Sequence, residues 1–289
     1  MHDNPQPMAD TVFTLPGHRL ITLEGRDAAA FAQAQFMNDV ALLEPGQWQW
    51  SGWLTPKGRV IALFALLKRS DEAVWLVLPD ANAGDVATAL QRFVFRSKVR
   101  IDVRDDLYAI GRFGAPAAAS GAKFTGDDDA GFELDVGSVE APRILRLSRE
   151  PAPQDDAAAA AWHAYDLEHG LPRLPDSQVE HWTPQQLSLD RLRAFSVKKG
   201  CYPGQEIVAR THFLGQAKRG LVLLQGDAPL EAGLDMTAGS VAMGKLVAAG
   251  FDGTHHLALA VMPLERDAAS LEVGGTPVVE RPLRDGLAR

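Results

Sequence analysis

The sequence predicts an α+β protein that closes on an all-β segment, and three observations carry that prediction. Short runs of alternating apolar residues dominate the first hundred positions, with two amphipathic helical segments set between them. The texture changes after Gly215, where β-like runs are separated only by Gly and Asp turns. No heptad pattern or internal repeat is present.

In chain order, Arg19 to Leu23 reads as a strand turned by Glu24-Gly25. Asp27 stands where it can cap a helix to about Met37, with Ala28, Phe31, Ala34 and Gln35 near one face, and Asn38-Asp39 breaks it. Trp48 to Leu54 and the strongly apolar Arg59 to Leu67 form a hairpin about the turn Thr55-Pro56-Lys57-Gly58. Ala73 to Leu78 is a third strand. Asp85 to Arg96 is a helix with Val86, Leu90, Phe93 and Val94 inward, and Val99 to Val103 is a fourth strand. Leu107 to Gly114, Phe132 to Val136 and Arg143 to Leu147 are further strands around a loop-like stretch, Ala115 to Ala130. After the linker Pro151 to Asp156 comes a helix from Ala157 to His169, capped by Asp155 or Asp156 and stopped by Gly170, with Trp162, Tyr165 and His169 on one face. Thr183-Pro184-Gln185-Gln186 carries the signature of a capping box, so Leu187 to Phe195 can start as a helix. A helix to about Phe213 follows the segment around Cys201. The tail runs Arg219 to Leu224, Gly239 to Ala249, His255 to Val261 and Leu271 to Glu280 suit a small barrel.

Composition narrows the function classes. The 289 residues allow two or three domains, and a net charge of −8 disfavours broad binding to nucleic acid. The densest positive region is Arg191, Arg193, Lys198, Lys199, Arg210, Lys218 and Arg219, around Cys201; a solvated face is its ordinary meaning. No apolar run approaches bilayer length, and the polar lead Met1 to Thr11 lacks a secretory h-region and is expected to be poorly ordered, so a cytoplasmic location is expected. One cysteine excludes an internal disulfide and an all-cysteine metal site within one chain. His181 and His212 flank that cysteine in sequence, which leaves a Cys-His pair conceivable. His255-His256 points to opposite faces of a strand, and Asp127-Asp128-Asp129 lacks calcium-loop spacing. No metal site is expected.

The most informative stretch is Lys198 to Glu206, which reads Lys-Lys-Gly-Cys-Tyr-Pro-Gly-Gln-Glu. Glycines bracket the thiol, lysines precede it and a helix follows, an environment that favours thiolate; a small buried hydrophobe is the competing role of a lone cysteine.

Lys199 to Glu206 resembles the Lys-Gly-Cys-Tyr/Phe-x-Gly-Gln-Glu motif of the YgfZ family, folate-binding relatives of the glycine-cleavage T-protein, an aminomethyltransferase. The likeness covers most of the chain and includes Gln35 to Asp39, Thr55 to Arg59, Glu168-Gly170-Pro172, Pro184-Gln185 and Lys218-Arg219. It implies a three-domain ring around a central hole. The expected division is a folate-binding region at 12–50 plus 105–214, an inserted ββαβ domain at 51–104 and a C-terminal β-barrel at 215–289. It implies tetrahydrofolate or a one-carbon derivative as cofactor, with Trp162, Tyr202, Gly200, Gly204, Gln205 and Glu206 as candidate contacts, and loop support as the expected role of Gln205 and Glu206. The family's second folate-linked tryptophan falls at His18. Cys201 would be the functional thiol, with Lys199 stabilising its thiolate. Iron–sulfur enzymes, their assembly proteins and the radical enzymes that thiomethylate tRNA would be the partners, without direct contact to nucleic acid or membrane.

The resemblance leaves three functions in view: an accessory protein for iron–sulfur enzymes, a folate-dependent one-carbon transferase, and an adaptor with a vestigial pocket. The T-protein's pair of aspartates aligns with Ala62-Leu63, neither of which can ionise, and this disfavours aminomethyl transfer.

Overall fold

The computed structural model describes residues 11–215, 217–267 and 269–289, so the N-terminal lead expected from sequence lies almost entirely outside the described residues. The chain builds two antiparallel sheets and a closed barrel. Sheet I contains β2 (Arg19–Glu24), β3 (Gln47–Leu54), β4 (Val60–Ser70), β5 (Ala73–Leu78) and β6 (Arg100–Val103) in the order β3-β4-β5-β2-β6. Sheet II contains β1 (Val12–Thr14), β7 (Tyr108–Phe113), β8 (Thr125–Asp127), β9 (Gly131–Asp135) and β10 (Arg143–Ser148) in the order β1-β7-β10-β9-β8. The barrel joins β11 (Arg219–Gly226), β12 (Asp235–Ala238), β13 (Val241–Phe251), β14 (His256–Pro263), β15 (Leu271–Val273) and β16 (Thr276–Arg281). Among the described residues the α-helices are α1 (Ala28–Gln35), α2 (Ala83–Gln91), α3 (Asp156–Glu168) and α4 (Gln205–Leu214).

The apolar run in β4 has a direct cause. Ala62, Phe64 and Leu66 pack in the core under α1 and α2, while Leu63, Ala65 and Leu67 face the main core on the other side. A strand covered on both faces needs apolar residues at every position. In β11 the alternation serves two cores: Val222 and Leu224 fill the barrel, and Leu221 and Leu223 join the main core. The main core also gathers Trp48, Trp50 and Trp75 of sheet I, Phe132, Leu134 and Leu145 of sheet II, Trp162 of α3, and Leu287.

The structure corrects several sequence expectations. The expected division between residues 50 and 51 cuts through β3, and β2 pairs with β5 and β6 in the same sheet as the hairpin. Asp27 makes no side-chain cap on α1; its carboxylate accepts the Lys98 backbone N–H at 2.6 Å instead. Ala34 is exposed, and α1 stops at Gln35 rather than near Met37. The second helix starts earlier, capped by Asn82 through the N–H groups of Gly84 and Asp85, and ends at Gln91, which leaves Phe93 47% exposed rather than inward. The capping box does form, since Thr183 and Gln186 exchange bonds of 3.0 and 3.3 Å, but no helix follows. Ser188 and Arg193 take left-handed φ of 49° and 53°, and Leu189 and Ala194 bond back as turns. The Ser188 hydroxyl then accepts the Leu221 N–H at 3.0 Å, tying this segment to the barrel.

One polar cluster sits inside the main core. Arg143 on β10 is 1% exposed and donates to Asp166 of α3 at 2.5 Å and to the Trp162 carbonyl at 3.2 Å. Its guanidinium lies 4.2 Å from the Trp162 ring centroid and 3.9 Å from that of Tyr165. Arg173 supplies a second partner to Asp166 at 2.8 Å. Burial alone would raise the Asp166 carboxyl, but the two guanidiniums outweigh it and hold it below the usual range. Its stabilising contribution is therefore present above the unfolded carboxylate pKa and lost as pH falls through the folded value. Asp166→Asn strands a buried guanidinium, and chemical denaturation at neutral pH is expected to show a loss of about 3–5 kcal/mol. The gap to wild type should narrow in acid.

Candidate functional site

The segment Lys198 to Glu206 is a loop clamped from both sides, with its thiol outside. Lys199 is 5% exposed, and its ammonium donates to the carbonyls of Gln33 (2.6 Å), Phe36 (2.6 Å) and Asn38 (2.9 Å). These oxygens lie in the last turn of α1 and just beyond it, where helical carbonyls lack intrahelical donors. Lys199 is thus the C-terminal cap of α1, which helps explain why α1 stops where it does. Burial pulls its pKa down to about 8 against the raising influence of Asp39. The expected use of this ammonium, to stabilise a Cys201 thiolate, is not what the structure shows: three carbonyls engage it.

The remaining motif residues divide by position. Tyr202 is buried, donates from its hydroxyl to the Ser196 carbonyl at 3.1 Å, and has the Lys199 ammonium 5.0 Å from its ring centroid. Burial pushes its phenol up to about 12. A ring packed in this way has no open face for a cofactor. Gly204 sits at φ 79° as the N-cap of α4, and a Cβ there would lie 2.6 Å from the Thr55 carbonyl oxygen and 2.7 Å from Gly58 Cα. Only glycine fits. Gln205 donates to the Lys199 carbonyl at 3.0 Å, a bond within the loop. Gly200, Cys201 and Glu206 are exposed, and a Cβ on Gly200 would meet nothing within 4 Å. The fold therefore requires Gly204 and does not require Gly200.

Elsewhere the surroundings of Cys201 are plainer than the sequence allowed. Among the described residues no hydrogen bond reaches it. His212 meets the Phe213 ring edge-on at 4.9 Å, and His181 is engaged through its carbonyl by Arg59 at 2.8 Å. Arg191 pairs with Asp285 at 2.7 Å and Lys199 is buried, so the positive patch around the thiol is smaller than its sequence suggests. Among the described residues no group of three or more His, Cys, Asp or Glu side chains can hold a metal ion, and no helix is long and apolar enough to cross a membrane.

The expected folate contact, Trp162, lies in the main core at 2% exposure. Arg143 covers its ring, while Phe13 at 6.0 Å and Phe113 at 5.7 Å pack against it. The cavity it shares with His18, Trp50, Arg143 and Asp166, between the two sheets and α3, measures about 20 Å³. That holds about one water, whereas a pocket for a pterin-sized ligand occupies roughly 300–1,000 Å³. His18, in the place of the family's second tryptophan, also lines this cavity; burial holds it well below its usual pKa, and its Nδ1 has no partner. Asp80 is pushed up to about 7 by burial, countered by the bond it accepts from the Leu174 N–H. A folate does not fit this centre as the side chains stand. Sequence reasoning missed Arg143, Asp166 and Arg173, which stand on β10, on α3 and in the segment after it and carry no local motif.

Comparison with known proteins supplies the wider setting. No family model matches the chain. Over 221 residues it is 32% identical to the tRNA-modifying protein YgfZ of Vibrio vulnificus, covering 72% of this chain and 67% of that protein. The protein of the same description from Klebsiella pneumoniae is 31% identical over 250 residues, 78% of this chain and 75% of the relative. The one from Aliivibrio fischeri is 29% identical over 280 residues, 89% and 86%. Among solved structures, the glycine cleavage system aminomethyltransferase T of Bartonella henselae superposes with a TM-score of 0.73 at 16% identity, covering 94% of this chain and 85% of that one. The fold is the T-protein fold.

The loop geometry gives two expected outcomes. Gly204→Ala should cost about 1–3 kcal/mol in a denaturant melt, while Gly200→Ala should match wild type within about 0.5 kcal/mol. Lys199→Met leaves three carbonyls unpaired and should cost about 1–3 kcal/mol at pH 7. Between pH 8 and 10 the unfolded chain holds the Lys199 proton more tightly than the folded chain. Stability from this group therefore rises with pH, and the gap between wild type and Lys199→Met should widen over that window.

Proposed function

Because the chain belongs to the YgfZ family, we propose that it is an accessory protein of tRNA modification that serves iron–sulfur enzymes, the radical enzymes that thiomethylate tRNA among them, and that Cys201 is the thiol it presents to them. The observation that carries this reading is the split within the motif. Lys199, Tyr202, Gly204 and Gln205 fix the loop, and the residue they hold in place is an exposed thiol. A clamped loop presents its side chain to a partner with little ordering cost on contact. A thiolate there is a soft ligand for iron and a nucleophile toward sulfur or one-carbon species. With a single cysteine in the chain, a bridged cluster would draw its other ligands from the client or a second molecule.

Two features argue against aminomethyl transfer. Ala62 and Leu63, at the aligned position of the catalytic aspartates, are buried aliphatic residues of β4. The carboxylate of the buried ion cluster, Asp166, is held by two arginines and is not available as a base. Folate is the cofactor expected of the family, and the centre as it stands does not accommodate a pterin.

Replacing Cys201 with Ser or Ala tests the reading. Both variants should fold within about 0.5 kcal/mol of wild type, since the side chain is exposed. In cells lacking the native protein, both should lose most of the thiomethylated tRNA and of the oxidative-stress tolerance of iron–sulfur enzymes that the wild-type chain restores. Wild-type levels in both variants would remove the thiol from the function.

A further inference from the structure

Beside the thiol loop the surface carries aromatic side chains that nothing in the described chain covers. Beyond the end of α2, Phe93 is 47% exposed and Phe95, two residues on, is 87% exposed. Phe93 lines a cleft of about 730 Å³ whose other apolar walls include Ile61 of β4, Ala89 of α2 and Pro203 of the thiol loop. Three cations line the same cleft: Lys57 and Arg59 of the hairpin turn, and Arg92. An apolar floor edged by aromatic and arginine side chains is the anatomy of a protein-binding surface.

The charge on the cleft is opposite to that of the chain. The three cations face one acid, Glu180, in a protein of net charge −8. None of them is in an ion pair among the described residues. Arg59 donates to the His181 carbonyl and to Gln186 Oε1, which fix its position and leave its charge uncompensated. This complementarity calls for an acidic occupant. A single-stranded nucleic acid is the poorer match, because it needs a continuous basic track and open ring faces, and Trp53 in the cleft is only 4% exposed. The cleft is also preformed. Val60 exchanges backbone bonds with its wall, donating to the Trp182 carbonyl at 2.8 Å and accepting the Glu180 N–H at 2.9 Å. A Cβ on Gly58 would lie 2.9 Å from Ile207 Cβ, so the hairpin turn is seated directly on the first turn of α4. Cleft and thiol loop therefore hold a fixed relation, and Pro203 and Cys201, two residues apart, have Cα atoms within about 7 Å.

We propose that this cleft docks an acidic segment of a partner protein, with an apolar side chain of the segment inserted against Phe93 and its carboxylates on Lys57, Arg59 and Arg92. A segment seated there brings its neighbouring residues to Cys201. That the docked partner is the client of the thiol rests on the function proposed above; the cleft's complementarity to an acidic segment does not.

Fluorescence anisotropy with labelled peptides tests the proposal on the Cys201→Ala chain, where docking is read without the thiol. The probe Glu-Asp-Glu-Leu-Phe-Glu-Asp-Glu should bind, with an affinity that falls as salt is added. Replacing its Leu-Phe pair by Ser-Ser, or its acids by Lys, should weaken binding by about tenfold or more. On the protein, the double variant Lys57→Glu, Arg92→Glu alters two exposed side chains; it should retain the wild-type circular dichroism and weaken binding by about fivefold or more. Phe93→Ala should weaken it as well. With Cys201 present, the same peptide ending in a thiopyridyl disulfide should form a mixed disulfide with Cys201 and release pyridine-2-thione. Relative to uncharged dithiodipyridine, it should react about tenfold faster than the Ser-Ser peptide, and the charge-reversed variant should lose that advantage. No binding at millimolar peptide, or unchanged affinity in the double variant, overturns the proposal. Tighter binding of an oligouridylate that the double variant abolishes would give the face to nucleic acid, and a dimer in sedimentation that the double variant dissociates would give it to a second copy; either overturns the proposal too. Docking is measured on a chain without the thiol, so its failure and a failure of the thiol role are separate results.

Discussion

The buried contact between Arg143 and Asp166 constrains more of this molecule than any other single interaction. It joins β10 of sheet II to α3 at the point where both meet sheet I, and it does so with full charges removed from water. Burial on that scale is tolerable only when every charge is paired, which is why Arg173 completes the cluster on Asp166 and the Trp162 and Tyr165 rings cover Arg143. The same arrangement leaves a cavity of only about 20 Å³ between the two sheets and α3. A centre closed by ion pairs has little room for a ligand, and this moves attention to the outer surface.

On that surface, one short motif performs two kinds of work. Lys199 belongs to the architecture of the N-terminal unit, because it caps α1 from a position more than 160 residues away in the chain. Gly204 lets the loop touch the hairpin turn at Thr55 and Gly58, and Gln205 closes the loop on itself. Cys201 is left outside that framework. The clamped residues account for why the motif holds its shape; the thiol and the open position at Gly200 are exposed beside them. The cleft at Trp53 and Phe93 shares the hairpin turn with the loop, so the two features are parts of one face.

Much of the fold was legible in the sequence because its signals are local. The alternation in β11, the continuous apolar run of β4, the Asp155 cap and the Gly170 stop of α3 each follow from the nearest residues. The errors have equally physical causes. Thr183 to Gln186 forms its capping box, but Ser188 and Arg193 turn the chain left-handed and spend the segment's polar groups on the barrel and on Asn38. Phe93 looked like a core residue by periodicity, yet α2 ends at Gln91 and leaves it at the surface.

By itself, the sequence determined the class of fold and the family, because each of these is written in contiguous residues with a fixed spacing. Only the tertiary structure decided what those residues do. It turned Lys199 from a neighbour of the thiol into the cap of a distant helix, buried Tyr202 and Trp162 among packed partners, and brought Arg143, Asp166 and Arg173 together to close the centre. The reason lies in range: hydrophobic period and turn chemistry act between near neighbours. The pairing of buried charges and orphan carbonyls depends on which distant segments the folded chain brings within hydrogen-bond reach.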